Sequence, residues 1–280
     1  MKVSINILTK NRALLLKQAL LSIAGQSFTD FEVIVVNDGS TDETGQVLQG
    51  YKDARIQVIA HQKSVGITKS RQEALVASSG EYIAILDDDD EWVDKDKLAT
   101  QVKYLDEHKG CVLVGGGRVN VSSQGYKDTR MHLRPKTDAE IRRTMLVRNN
   151  FFTSTVMFSR VAAVRAGGFI YPVRDDMSAL PGNLTNSLQE NNGSFKTSKI
   201  SNGASDADDF AEDYDLWLRL GKLGQMYNFP QVFTAYRVPN YNKVKNKAFL
   251  RKQLRLIKRD KGSYPLYYLA VILLRLRLFL

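Results

Sequence analysis

Cysteine is nearly absent from the 280 residues: Cys111 stands alone in an apolar run, which excludes an intrachain disulfide and suits a reducing compartment. Cys111 reads as a small buried hydrophobe. Histidine is equally scarce. His61, His108 and His132 show no metal-ligand spacing and are read as ordinary. The opening "MKVSINILTKNR" has neither a long apolar core nor a small-residue cleavage site, so it reads as a first strand and not as a signal peptide. Internal repeats are missing too. So is a glycine-rich phosphate loop with a following lysine near the start.

What is present is globular: 43% hydrophobic and 25% charged residues, with 40 Lys and Arg against 30 Asp and Glu. A net charge of +10 points to an anionic partner such as nucleic acid, anionic lipid or a phosphorylated substrate. The charge is uneven. Basic residues crowd Lys243 to Lys261, while acids gather at Asp87–Glu91 and Asp206–Asp215.

The first half alternates strand and helix patterns. Strands are expected at 3–8, 31–36, 55–60 and 82–86. Helices are expected after the first strand, from a Ser40–Glu43 capping box toward Gly50, from Gly66 to Ser79, and over about Asp94 to Lys109. Near-continuous apolar strands joined by helices imply an α/β fold with a parallel sheet covered on both faces. Beyond Cys111, "CVLVGGGRVNV" suggests strands with a glycine break, and a Thr137–Glu140 capping box opens a helix. "STVMF" (154–158) is a strand, and 159–168 is a short helix ending in glycine. Residues 212–224 are amphipathic, with Leu216, Trp217, Leu220 and Leu223 on one face.

Ligands of open parallel sheets bind beyond the carboxyl ends of the strands. There the chain places "TKNR" (9–12), "NDGST" (37–41) and the run Asp87–Asp90. Four adjacent carboxylates raise one another's pKa, and a divalent cation would relieve the conflict. Mg²⁺ and Mn²⁺ suit such oxygen donors, whereas the spacing does not fit a calcium EF-hand loop. Arg71 lies four residues from both Ile67 and Leu75, so it shares their apolar helix face. It either snorkels or meets an anion at the edge of the site.

Six segments occur in order: "ILTKNR", "VIVVNDGSTDET", "GITKSRQEAL", "YIAILDDDDEW", "AGGF" and "EDYDLWLRL". Together they resemble the family 2 inverting glycosyltransferases of the GT-A fold, over roughly Lys2 to Arg237. The resemblance implies a GT-A, Rossmann-like, mostly parallel sheet flanked by helices. It also implies a metal-dependent transferase, with Mn²⁺ or Mg²⁺, that moves a sugar from a nucleoside diphosphate, UDP by family habit. The acceptor would be a glycan or a lipid-linked molecule in surface polysaccharide synthesis. By the resemblance, Asp38 contacts the nucleoside and Thr9 and Arg12 flank the base pocket. Arg71 and Asp88 touch the donor. Asp87 lies nearer the ribose and Asp89 toward the metal, with the register inside the acidic run open. The Glu212–Asp213 pair supplies the base, Asp213 being favoured. The rivals are a nucleotidyltransferase and a catalytically inert membrane-surface binding protein.

The expected organisation is a GT-A domain over 1–240, with a nucleotide-sugar half (1–110) and an acceptor half (111–240), followed by a tail over 241–280. The polar stretch 172–208 departs from the family, whose "GGF" segment stands close to the "ED" pair. It reads as a surface loop, with an acceptor lid as the alternative. The tail joins a basic segment to "SYPLYYLAVILLRLRLFL", too short and too charged to span a bilayer of roughly 20-residue thickness. Basic plus apolar character over 243–280 implies an anionic membrane surface as partner, not nucleic acid. The expected location is cytoplasmic, peripheral at the inner face of the membrane. A helix packed on the protein and an oligomer contact are the alternatives.

Overall fold

The computed structural model describes residues 1–122, 127–169, 211–238 and 247–279, so the polar stretch 172–208 lies outside the described residues. The first half holds β1 (Val3–Thr9), α1 (Ala13–Ala24), β2 (Phe31–Asn37), α2 (Thr44–Gly50), β3 (Ile56–Ala60), α3 (Ile67–Ala77) and β4 (Tyr82–Ile85). It continues with a short β5 (Glu91–Trp92) and α4 (Lys97–Glu107). The second half holds β6 (Cys111–Val121), β7 (Lys127–His132), α5 (Asp138–Thr144), a 3₁₀ turn (Thr153–Thr155), β8 (Met157–Ser159) and α6 (Arg160–Arg165). Then come α7 (Glu212–Leu220), β9 (Gln225–Arg237), α8 (Lys247–Arg259) and α9 (Tyr267–Phe279).

One sheet runs β3-β2-β1-β4-β8-β6-β9-β5, with β7 on the edge of β6. Its first four strands are parallel, as their near-continuous apolar character requires. β8 is antiparallel to β4 and to β6, and β9 returns parallel to β6. α1 buries Leu16, Ala19, Leu20 and Ile23 against Val3, Ile5 and Ile7 on one face. α3 lays Ala74 on Ile34 and Val36 on the other. Both faces are thus closed, and only the strand ends remain for a ligand.

Several expectations are corrected. The Ser40–Glu43 capping box does not form. Asp42 instead accepts the Thr44 N–H, and Ser40 accepts the Asn11 N–H. The Thr137–Glu140 box does form. The three glycines break no strand: β6 runs through them with register shifts, and a Cβ at Gly116 would collide with the Phe233 ring. Residues 153–155 are a 3₁₀ turn, which shortens the strand expected at 154–158. Leu223 lies past the end of α7 and is exposed, whereas Leu218 is buried. Strands β5, β7 and β9 carry no clear period. In β9 the pairing jumps from Asn228 to Val232, and Pro230, which has no N–H to give, lies in the gap.

The tail helices pack on the sheet domain. Leu250, Leu256, Ile257, Tyr264, Ala270 and Leu274 share one core with Trp217 and Leu218 of α7. Tyr264 donates to the Leu218 carbonyl at 2.8 Å, and Arg259 reaches Asp215 at 2.5 Å.

Candidate active site

The sheet order sets β1 between β2 and β4, so the loops after these three strands meet at one edge. Thr9 pairs with Asn37, and Asp38 donates its N–H to the Thr9 carbonyl at 2.9 Å. Asn11, in the left-handed region at φ 54, accepts the Thr41 N–H at 2.7 Å and so sews the first loop to the second.

The four aspartates do not confront one another. They form a turn, with Asp90 N–H donating to the Asp87 carbonyl at 3.0 Å, and each carboxylate finds a donor outside the run. Arg71 donates to Asp87 at 2.8 Å. Arg12 donates to Asp88 at 2.8 Å and to Asp89 at 2.9 Å. Asp90 is enclosed. It accepts from the Ser154 hydroxyl and, at 3.0 Å, from the Arg237 N–H. Ser154 also accepts the Asp87 N–H at 3.1 Å, so one hydroxyl ties both ends of the turn. Two arginines and a serine therefore answer the repulsion that the sequence raises.

Alternation divides the run. The side chains of Asp87 and Asp89 are 32% and 25% exposed, whereas that of Asp88 is 5% exposed. Burial, against the pull of Arg12, lifts the Asp88 carboxyl to about 6. Burial and the nearby Asp87 hold Asp90 well above the ordinary carboxylate range. Asp88 Oδ2 and Thr9 Oγ1 are both buried and face one another, and Thr9 pulls the Asp88 carboxyl down against burial.

Asp38 faces another way. Burial alone would raise its pKa. Hydrogen bonds from Ser64, the Val65 and Gly66 N–H groups and His61 bring it below the ordinary value. Its two oxygens thus hold the β3–α3 loop. Gly39, at φ +70, lets that loop approach, since a Cβ there would lie 2.6 Å from the Ser64 nitrogen. His61 bridges Asp38 at 2.9 Å and Glu73 at 2.6 Å. Burial lowers its pKa, but the two carboxylates outweigh burial and leave it raised.

Arg71 makes the longest-range connection. Its Nη2 binds Asp87 and its Nε binds Glu212 Oε1 at 3.0 Å, joining segments 141 residues apart from its own position and 16. Burial would lower its pKa, yet Asp87 and Glu212 together raise it. Glu212 is pushed up to about 7, first by burial and then by Asp213, against Arg71. Asp213 has neutral partners instead: the Thr153 hydroxyl donates to Oδ2 at 2.7 Å and the Asn149 amide approaches it at 3.5 Å.

Thr9, Arg12, Arg71, Asp87, Asp88, Asp89, Glu212 and Asp213 therefore line one connected edge, with Asp38 behind it. Trp92 and Trp217 are buried packing residues. The sequence did not point to Asn149, Thr153, Ser154, Arg237 or His61. Only the pairing of β4 with β8, and of β6 with β9, brings the first four here.

Comparison with known proteins now bears on this arrangement. The sequence model described as Glycosyl transferase family 2 matches residues 4–167, more than half of the chain. The chain belongs to glycosyl transferase family 2. The matched range contains the acidic turn, while Glu212 and Asp213 lie beyond it. An uncharacterized glycosyltransferase of Haemophilus influenzae is 25% identical over 286 residues, covering 96% of this chain and 75% of its own length. Other curated relatives are much longer than their match, which spans 15% of one and 46% of another. Among solved structures, Staphylococcus aureus TarS 1-349 in complex with UDP-GlcNAc has TM-score 0.65 at 18% identity. It covers 100% of this chain and 73% of TarS 1-349. The mannosyltransferase PcManGT from Pyrobaculum calidifontis, in complex with GDP-Man and Mn2+, has TM-score 0.63 at 18% identity, covering 100% and 70%. These two likenesses establish the fold. The family 2 chain therefore has the GT-A architecture of these glycosyltransferases.

Proposed function

We propose that this family 2 chain is a metal-dependent inverting glycosyltransferase that uses a nucleoside diphosphate sugar, with UDP the favoured nucleotide. Its acceptor would be a glycan or lipid-linked molecule of a surface polysaccharide. The observation that carries the reading is the Asp87–Arg71–Glu212 bridge, which brings the two acidic segments to one edge of the sheet. Direct displacement needs a charge-stabilising end and a proton-accepting end, and these segments supply both.

In this reading Thr9 and Arg12 border the nucleoside, and Asp38 shapes its pocket through the loop it holds. Arg71 and Asp88 face the donor phosphates and ribose. Asp87 and Asp89 would hold Mn²⁺ or Mg²⁺. They fit a hard cation because they are the partly exposed oxygen donors of the turn. No group of three or more such ligands exists among the described residues. One or two carboxylates plus substrate phosphates suffice for these ions. When bound, the ion neutralises charge that builds on the departing diphosphate. Asp213 accepts the proton of the attacking hydroxyl, with Thr153 and Asn149 orienting its carboxylate. Glu212, already engaged by Arg71, positions that guanidinium.

A panel of nucleoside diphosphate sugars, incubated with the full chain and Mn²⁺, tests this by nucleotide release. One sugar of the panel should be consumed only when a divalent ion is present. No turnover of any donor, with or without metal, would sink the reading.

The tail completes the proposal. No helix among the described residues is long and apolar enough to cross a membrane. α9 nevertheless leaves Tyr268, Ile272 and Leu276 exposed at 80%, 56% and 56%, four residues apart on one face. Exposed Arg251, Lys258 and Lys261 lie in the preceding segment. We propose that this face meets anionic lipid at the inner side of a membrane. Because α8 and α9 belong to the core, deleting them would damage the fold. Replacing Tyr268, Ile272 and Leu276 by Ser is the cleaner test. Binding to phosphatidylglycerol vesicles should weaken about tenfold or more, on the area removed, with an unchanged melting temperature. Undiminished binding would refute the membrane proposal.

A further inference from the structure

On the base side of the site, three arginines form no salt bridge among the described residues, although Asp90 acts on Arg118 from a longer distance. Arg118 is on β6, Arg134 follows β7 and Arg148 follows α5. Arg118 and Arg134 each place a guanidinium 4.4 Å from the centre of the Phe152 ring. Arg118 also lies 3.7 Å from the Tyr236 ring centre. Stacking on a ring fixes a guanidinium plane while leaving its edge free to donate. The Nε atoms of Arg118 and Arg134 are buried and make no hydrogen bond, while the Arg118 guanidinium also hydrogen-bonds Tyr236. The cations also disturb one another. Arg134 is lowered to about 10, first by burial and then by Arg148 and Arg118. Gathering like charges in a half-buried place is unfavourable unless an anion joins them.

The location says which anion. Arg148 and the Phe152 ring on which Arg118 and Arg134 stack each stand one residue from the proton-accepting end of the site, and Tyr236 stands one residue from a contact to the acidic turn. Arg148 precedes Asn149 and Phe152 precedes Thr153, both of which bond Asp213. Tyr236 precedes Arg237, whose N–H binds Asp90. The nucleoside-side residues Arg12 and Asp38 belong to the opposite loops. Accepting the transferase reading, on which this inference rests, the cluster borders the acceptor. A single carboxylate would leave most of the positive charge unmatched. A phosphate offers several oxygens and up to two charges to the arginine forks.

We propose that Arg118 and Arg134, with Arg148 at the rim, bind a phosphate group carried by the acceptor.

The test is calorimetric titration of the full chain with glycerol 1-phosphate, with glycerol as the uncharged control, repeated with UDP and Mn²⁺ at high concentration. Glycerol 1-phosphate should bind, glycerol should not, and UDP with Mn²⁺ should leave the binding intact. The double variant Arg118→Gln, Arg134→Gln should bind at least about tenfold more weakly, given the strength of charge-assisted hydrogen bonds. A second measurement needs no variant: glycerol 1-phosphate should protect Arg118 and Arg134 from phenylglyoxal, read by peptide mass mapping. Geranyl phosphate separates the sources. Tighter binding than glycerol 1-phosphate assigns the phosphate to a lipid, and equal or weaker binding assigns it to a polyol phosphate. No binding of either probe, equal binding by the double variant, absence of protection, or displacement by UDP would each overturn the proposal. Nucleotide release from donor sugars is read separately. A chain that binds glycerol 1-phosphate through these arginines but consumes no donor would refute the transferase mechanism and leave the anion site standing.

Discussion

Asp213→Asn is expected to cut sugar transfer about a thousandfold, the usual scale for loss of a general base, while donor affinity stays unchanged. The substitution preserves shape. Asparagine can still meet the Thr153 hydroxyl and the Asn149 amide, so the loop should remain in place. What disappears is the ability to take a proton from the acceptor. Because the donor contacts lie on α3 and in the loops after β1, β2 and β4, and none bonds Asp213, the KM for the donor should hold while kcat falls. Glu212→Gln should behave differently, since Glu212 is bound to Arg71 and its loss should disturb donor affinity as well. Steady-state kinetics with varied donor and a fixed acceptor distinguish the two. If Asp213→Asn retains wild-type kcat, the base is assigned wrongly.

Arg71→Met should be the most damaging substitution to stability among the site residues. Arg71 is buried and serves two carboxylates, one on each half of the sheet. Removing one member of a buried charge group costs about 3–5 kcal/mol, which in a chain of this size lowers Tm by roughly 5–15 °C. The loss should depend on pH. Glu212 sits at about 7 with Arg71 still opposing the effect of burial, so without Arg71 its pKa rises further. A protonated Glu212 does not need the guanidinium. The wild-type advantage attributable to Glu212 therefore grows as pH rises above about 7, where only the wild type keeps the carboxylate charged, and is gone well below 7, where both proteins bury it protonated. The part due to Asp87 remains. Thermal melts of both proteins across this pH range measure this. An equal gap at pH 5 and pH 8 would exclude Glu212 as the cause.

The strand-and-loop frame of residues 3–90 was legible because its signals are local. Apolar strands, their polar exits and the acids after them are readable within a few residues of one another. Arg71 was legible as a cation on an apolar helix face, although neither partner could be named from the face alone. The partners of Asp90 and Asp213 were hidden for the opposite reason. Ser154 and Thr153 come from a 3₁₀ turn that only the β4–β8 and β8–β6 pairings carry to the aspartates. Arg237 ends a strand whose pattern is interrupted at Pro230. The Ser40–Glu43 box failed because Asp42, nearer the helix start, takes the Thr44 N–H first. Asp38 was read from its loop, but its four donors arrive from residues 61–66, which no spacing rule connects to it.

The hairpin of α8 and α9 has a consequence for how the molecule opens. Arg259 binds Asp215, two positions from Asp213, and Tyr264 holds the Leu218 carbonyl. Trp217 and Leu218 share one core with Leu256, Ile257 and Leu274. Local unfolding proceeds in cooperative units set by such contacts. The hairpin and α7 thus form a single unit: they fray together or stay closed together. Whatever clamps the outer helix against a surface also suppresses excursions of the segment bearing Asp213.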